Sequence, residues 1–106
     1  MFCTTGNDVD GYKVTGYLGI VRGIVVRSPN IAQGILGGLN QIFGGNIEAY
    51  AQVCERARLD AYNRMITHAQ EVGANGVIAV RYDATEFTQG ATEVLCYGTA
   101  VQLVPR

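Results

Sequence analysis

An α+β domain, in which one long helix covers a β-α-β-β sheet, is predicted by three features of the sequence. Tyr12 to Arg27 is a long stretch rich in β-branched residues, with apolar side chains on both alternating faces. Ile47 to Val72 repeats apolar residues at three- and four-residue spacing, as an amphipathic helix does. Gly73 then ends the helix, Ala74-Asn75-Gly76 turns the chain, and two more strand patterns follow. These are Val77 to Ala84 and Glu93 to Val104, joined through Thr88-Gln89-Gly90-Ala91.

Taken in order, Phe2 to Thr5 reads as a short strand, and Asn7-Asp8 with Gly11 marks a turn. In Tyr12–Arg27 the even residues Leu18, Ile20, Ile24 and Val26 share one face, interrupted by Arg22. The odd residues Tyr17, Val21 and Val25 share the other, interrupted by Gly19 and Gly23. Such a strand should be covered on both sides. The two glycines fit either a channel for a closely packed helix or a β-bulge at one of them, and both readings stand. Ser28-Pro29-Asn30 ends the strand. Ile31 to Phe43 has helical spacing, but Gly34, Gly37 and Gly38 each cost about 1 kcal/mol relative to alanine, so this helix is short and weak. Gly44-Gly45 breaks it.

Asn46 is placed to cap the long helix. Its apolar stripe is Ile47, Tyr50, Cys54, Ala57, Ala61, Met65, Ala69 and Val72. Asp60 and Arg64 form an (i, i+4) pair worth about 0.2 to 0.5 kcal/mol. Ala57 and Ala61 are small enough to pack over Gly19 and Gly23. Gly73 supplies the left-handed residue that closes the helix. A right-handed crossover then sets the first and third long elements parallel.

A chain of 106 residues is a single domain, and a domain of this mass buries about 65% of its unfolded surface. Charged residues are only 16% of the sequence, against about 25% in ordinary soluble domains. One helix covers one face of the sheet, so the other face needs a second layer. The weak Ile31–Phe43 helix can supply some of it, and self-association supplies the rest from identical chains. The net charge of −1 and the single lysine, Lys13, give no basis for binding nucleic acid. The start lacks a signal-peptide pattern, and no apolar run approaches the roughly 18 residues of a membrane span, so a cytoplasmic protein is expected. Cys3, Cys54 and Cys96 are odd in number and widely spaced, which fits reduced, packed thiols.

With these elements placed, the chain resembles the YbjQ family, also called UPF0145. The resemblance is carried by Tyr17-Leu18-Gly19-Ile20-Val21 with Gly23, Gly44-Gly45 followed by Tyr50, Ala57-Arg58, and Arg64-Met65 with Ala69. It continues through Gly73-Ala74-Asn75-Gly76-Val77-Ile78 and Gly98-Thr99-Ala100-Val101, so it spans nearly the whole chain. It implies a dodecin-subunit-like fold assembled as a ring, a homopentamer, with no established enzymatic activity and with a heavy-metal ion as the family's suggested ligand. One departure stands out: Ile31 to Phe43 carries no charged residue, which suits a buried contact.

The residues offer little chemistry of their own. No C-x-x-C, H-x-x-x-H or C-x-x-H pattern occurs. Metal candidates are therefore Cys3, Cys96 and His68, which could meet only through folding or across a ring axis. Cys54, on the helix stripe, is the weakest thiol candidate, and His68 falls at the stripe's edge. The glycines from Gly34 to Gly45 lack the G-K-[S/T] of a phosphate loop. Arg22, Arg81, Tyr82, Asp83 and Glu86 could line a pocket between subunits, or form surface ion pairs. The reading is a non-enzymatic homo-oligomer binding a small ligand or metal between chains. The alternatives are a thiol-based metal carrier and a small enzyme with an intersubunit site using His68, Arg81 and Glu86.

Overall fold

In a computed structural model describing residues 1–27 and 47–106, the chain forms β1 (Phe2–Cys3), β2 (Tyr12–Arg27), α1 (Ile47–Glu71), β3 (Gly76–Thr88) and β4 (Ala91–Pro105). The expected Ser28-Pro29-Asn30 stop, the Ile31–Phe43 helix, the Gly44-Gly45 break and the Asn46 cap lie outside the described residues. The sheet order is β1-β3-β4-β2. β4 runs antiparallel to both long neighbours, and β1 is parallel to β3. β2 and β3 therefore point the same way, as the crossover rule predicts, but they do not touch. The last strand is inserted between them.

Each boundary has a local cause. Gly73 adopts φ 83°, which an L side chain resists, and its N–H reaches the Gln70 carbonyl at 3.0 Å. The Ala74 N–H reaches the Ala69 carbonyl at 3.0 Å, completing a Schellman closure. Asn75 then ties β3 to β4: its Nδ2 donates to the Leu103 carbonyl at 2.9 Å and its Oδ1 accepts from the Leu103 N–H at 2.7 Å. Gly90, at φ 77°, supplies the two-residue turn between β3 and β4.

The two glycines of β2 take one role each. At Gly23, an added Cβ would fall on the Ala61 carbonyl oxygen, 2.5 Å from the Met65 nitrogen and 2.8 Å from the Arg64 Cβ. The helix backbone lies directly on the strand there. Gly19 has φ 97° with open space around it, and the β2–β4 register shifts between Tyr17 and Gly19. That bulge turns Tyr17 away from the Val21–Val25 face on which its odd number placed it, and leaves it 71% exposed. A second bulge, where Ala79 has φ 55°, lets Val77 and Val80 share the helix-facing core.

The main core is Val21, Val25, Ala61, Met65, Ala69, Val77, Val80, Cys96 and Ala100. The helix stripe is narrower than expected, because Cys54 and Val72 are exposed. Arg27, the last residue of β2, is level with Asp60, so the turn carrying Cys54 lies past the strand's end. Val72 follows the last helical residue and turns outward with the closure. On the opposite face a small cluster of Ile78, Val101 and Leu103 is covered by Val9, Tyr12 and Val14. The rest of that face has no cover among the described residues: Ile20 is 71% exposed and Val26 44%.

Candidate functional site

The chemistry-bearing side chains fall into two groups at opposite margins of the sheet. Along the outer edge of β2, α1 presents Asp60, Arg64 and His68, four residues apart and so on one flank of the helix. His68 Nδ1 accepts the Arg22 backbone N–H at 3.1 Å, Arg64 donates to the Ile24 carbonyl at 2.7 Å, and Asp60 pairs with Arg27 at 3.2 Å. Two of these contacts occupy backbone polar groups that an edge strand would leave bare, and the third ties the Arg27 side chain to the helix. The expected Asp60–Arg64 ion pair does not form. Asp60 instead takes Arg27 and Arg56, because the strand edge supplies Arg64 with an unpaired carbonyl.

The other group lies where β1, β3 and β4 meet α1. Cys96, wholly buried on β4, donates its S–H to the Met65 sulfur at 3.6 Å. The Tyr82 hydroxyl lies beside Cys96, and the Tyr62 hydroxyl beside Cys3. Hydrogen bonding toward Cys3, followed by burial and the neighbouring thiols and phenol, pushes Tyr62 up to about 12. Burial, with the Cys96 sulfur beside it, raises Tyr82. Burial also raises Cys96, against the Tyr82 hydrogen bond, which favours its thiolate. Tyr62, Tyr82 and Cys96 are all shifted upward, so these three groups stay protonated at neutral pH.

Two measurements check this assignment. Because Tyr62 has a folded value above its ordinary 10.0, its contribution to stability is complete below pH 10 and is lost as pH rises toward about 12. Alkaline titration should show tyrosinate absorbance and loss of ellipticity rising together in that window, with the Tyr62→Phe variant shifted to higher pH. A thiol reagent should modify exposed Cys54 first, half-buried Cys3 later, and Cys96 only on unfolding.

Of the predicted metal candidates, the structure places Cys3 and Cys96 in the same seam and His68 at the far margin. β1 and β2 are opposite edges of the sheet, so His68 is separated from Cys3 by the sheet's width. No three His, Cys, Asp or Glu side chains among the described residues converge as a metal would need. Cys96 is engaged by Met65 and His68 by Arg22, with Tyr62 and Tyr82 beside the two thiols. The described residues do not fit a metal centre within one chain. The five pocket candidates also divide. Arg22, Tyr97 and Arg81 stand in one row of the open face with Asp83 in the next, while Tyr82 and Glu86 belong to the helix side. No described helix is long and apolar enough to cross a membrane.

The comparisons agree with this anatomy. Residues 1–104 match the sequence profile of the YbjQ family, described as "Putative heavy-metal-binding". A UPF0145 protein of Legionella pneumophila (strain Corby) is 61% identical over 101 residues, covering 95% of this chain and 96% of the relative. One from Chromobacterium violaceum is 55% identical over 102 residues, covering 96% and 87%. Among solved structures, a Pediococcus pentosaceus protein of unknown function from the DUF74 family superposes with TM-score 0.59 at 16% identity. It covers 98% of both chains and shares the fold. An end-to-end profile match, together with relatives sharing more than half their residues, establishes that this chain belongs to the UPF0145 (YbjQ) family.

Proposed function

We propose that this chain is a non-enzymatic, cytoplasmic subunit of a closed homo-oligomer, a pentameric ring, whose ligand sits between chains. The observation that carries the reading is the sheet face left uncovered among the described residues. Leu18, Ile20 and Val26 are exposed in line on β2, with Tyr97 beside them on β4. A domain with so few charged residues gains more from covering such a row with its own copies than from wetting it. Arg22, Arg81 and Asp83 lie among these apolar residues, so a subunit boundary formed there would contain polar groups able to orient a small ligand. Native mass spectrometry of the purified protein reports subunit number and retained ligand together. A five-chain mass is expected, and single folded chains at micromolar concentration would sink the reading.

The family's heavy-metal description enters only through residues that separate chains could combine. Titrating reduced protein with zinc or copper(I), then repeating with Cys3→Ser and Cys96→Ser together, tests a thiol carrier. Equal weak binding by both proteins is the result expected from the engaged state of the two thiols. Tight binding abolished by the substitutions would revive the carrier.

A further inference from the structure

The junction between α1 and β3 requires Asn75 and Gly76 for separate reasons. The Asn75 carboxamide acts as an extra rung of the sheet, donating to the Leu103 carbonyl at 2.9 Å and accepting the Leu103 N–H at 2.7 Å. Aspartate, of the same size, would offer acceptors only. Gly76 is buried in register between Phe2 of β1 and Val101 of β4. A Cβ there would come within 2.6 Å of Leu103 Cδ1 and 3.4 Å of a Val101 methyl. Two structural needs thus place the sequence's one Asn-Gly dipeptide at this point. Asn-Gly is the pair in which an asparagine side chain closes most readily on the next backbone nitrogen, because glycine puts no Cβ in the way.

We propose that Asn75 is a site of spontaneous hydrolytic modification, held silent in the native fold by Leu103 and opened whenever β3 and β4 part. In the open chain the Gly76 amide proton goes to hydroxide, and the nitrogen attacks Asn75 Cγ. An N–Cγ bond forms and the Cγ–Nδ2 bond breaks. Water returns a proton to Nδ2, which leaves as ammonia. A second water opens the five-membered imide at either of its carbonyls, leaving aspartate or isoaspartate at position 75. No electron is gained or lost, and water is the only co-reactant.

Native contacts oppose this step at both ends. Two bonds hold the carboxamide against β4, and burial keeps the Gly76 amide from the base that must deprotonate it. Either product is then shut out of the fold. A carboxylate cannot donate to the Leu103 carbonyl and sets negative charge against it. Isoaspartate also routes the main chain through Cβ. That displaces the Asn75 carbonyl from the Phe2 N–H, which it accepts at 3.1 Å, and loosens the mooring of β1 on β3. A chain that lingers open therefore leaves the folded pool by a one-way chemical step, whatever its subunit number.

Ageing the protein at mildly alkaline pH, followed by peptide mapping with mass spectrometry, reads the reaction as the mass gain of an amide turned acid at Asn75. In denaturant the conversion should run at least about tenfold faster than in the native protein, as release of two hydrogen bonds implies. Equal rates in the two states would overturn protection by Leu103. An Asn75 that stays intact in denaturant would overturn the site itself. Gly76→Ala is aged in denaturant too, where its own folding is immaterial, and should remain unconverted over the time that consumes wild type. Conversion at the wild-type rate would deny glycine its part. When aged wild type is refolded and fractionated by size, chains modified at Asn75 should be missing from the native fraction. Their presence there in full proportion would overturn the one-way step. Asn75→Asp supplies one product directly and should melt about 5 °C or more below wild type at a fixed protein concentration. An unchanged melting temperature would count against the step in the same way.

Discussion

Replacing Gly23 with alanine is expected to cost about 3 kcal/mol or more, the upper end of what overpacking a core costs. The methyl group would meet the helix backbone at Ala61 and Met65, and backbone cannot rotate aside as a side chain can. Either α1 lifts from β2, or β2 pulls away from β4. For a domain of this size the loss corresponds to a fall in melting temperature of roughly 12 °C or more. The proper comparison is Gly19→Ala, where space is open but φ is 97°, so the cost is conformational, about 1 to 2 kcal/mol. Thermal melts at one fixed protein concentration separate the two, since assembly makes stability concentration-dependent. Equal losses at the two glycines would refute the assignment of close contact to Gly23 and bulge to Gly19.

Met65→Ala is expected to be the other severe lesion, at about 2 to 5 kcal/mol. Met65 is the largest wholly buried side chain among the described residues and lies on the helix seam between two alanines, so neither neighbour can fill the space left. It also removes the sulfur to which Cys96 donates. The variant should therefore show faster labelling of Cys96 as well as a lower melting temperature. Met65→Leu keeps most of the volume and should cost less than about 1.5 kcal/mol. If alanine and leucine prove alike by denaturant titration, the seam at Met65 is looser than its burial states.

How far these features could be read from the residues depends on how local they are. Periodicity located the long helix and the three long strands, and Gly73 marked the closure to within a residue. Alternation along β2 also marked Ile20 and Val26 as a separate apolar face. Strand order was not legible, because nothing local to Ala91–Pro105 says that it lies between β2 and β3 rather than outside β3. Bulges were only half legible. Gly19 advertised one, but the bulge at Ala79 uses a residue with no special signature, and only pairing with β4 reveals it.

The candidate site divides along the same line. Cys3 and Cys96 lie on strands that meet in one seam, whereas His68 was grouped with them for lack of a strand order. The spacing of Asp60, Arg64 and His68 was visible as a polar flank beside the alanine ridge. Its role depended on which strand lay at the sheet's margin, and the sequence offered Arg64 the wrong partner for that reason. The approach of Tyr62 and Tyr82 to the thiols was not legible, since the partners are far apart along the chain.

The central place of β4 has a consequence for biosynthesis. As translation proceeds, β2, α1 and β3 emerge before the strand to which both long neighbours must bond. Until Ala91–Pro105 leaves the ribosome, the nascent chain holds an unpaired β2, a β3 paired only with short β1, and a helix with only part of its seat, a state open to chaperones and to mispairing with other nascent chains. Completion is then one late event in which a single insertion zips both sides, so productive folding should follow release of this segment and not accumulate element by element.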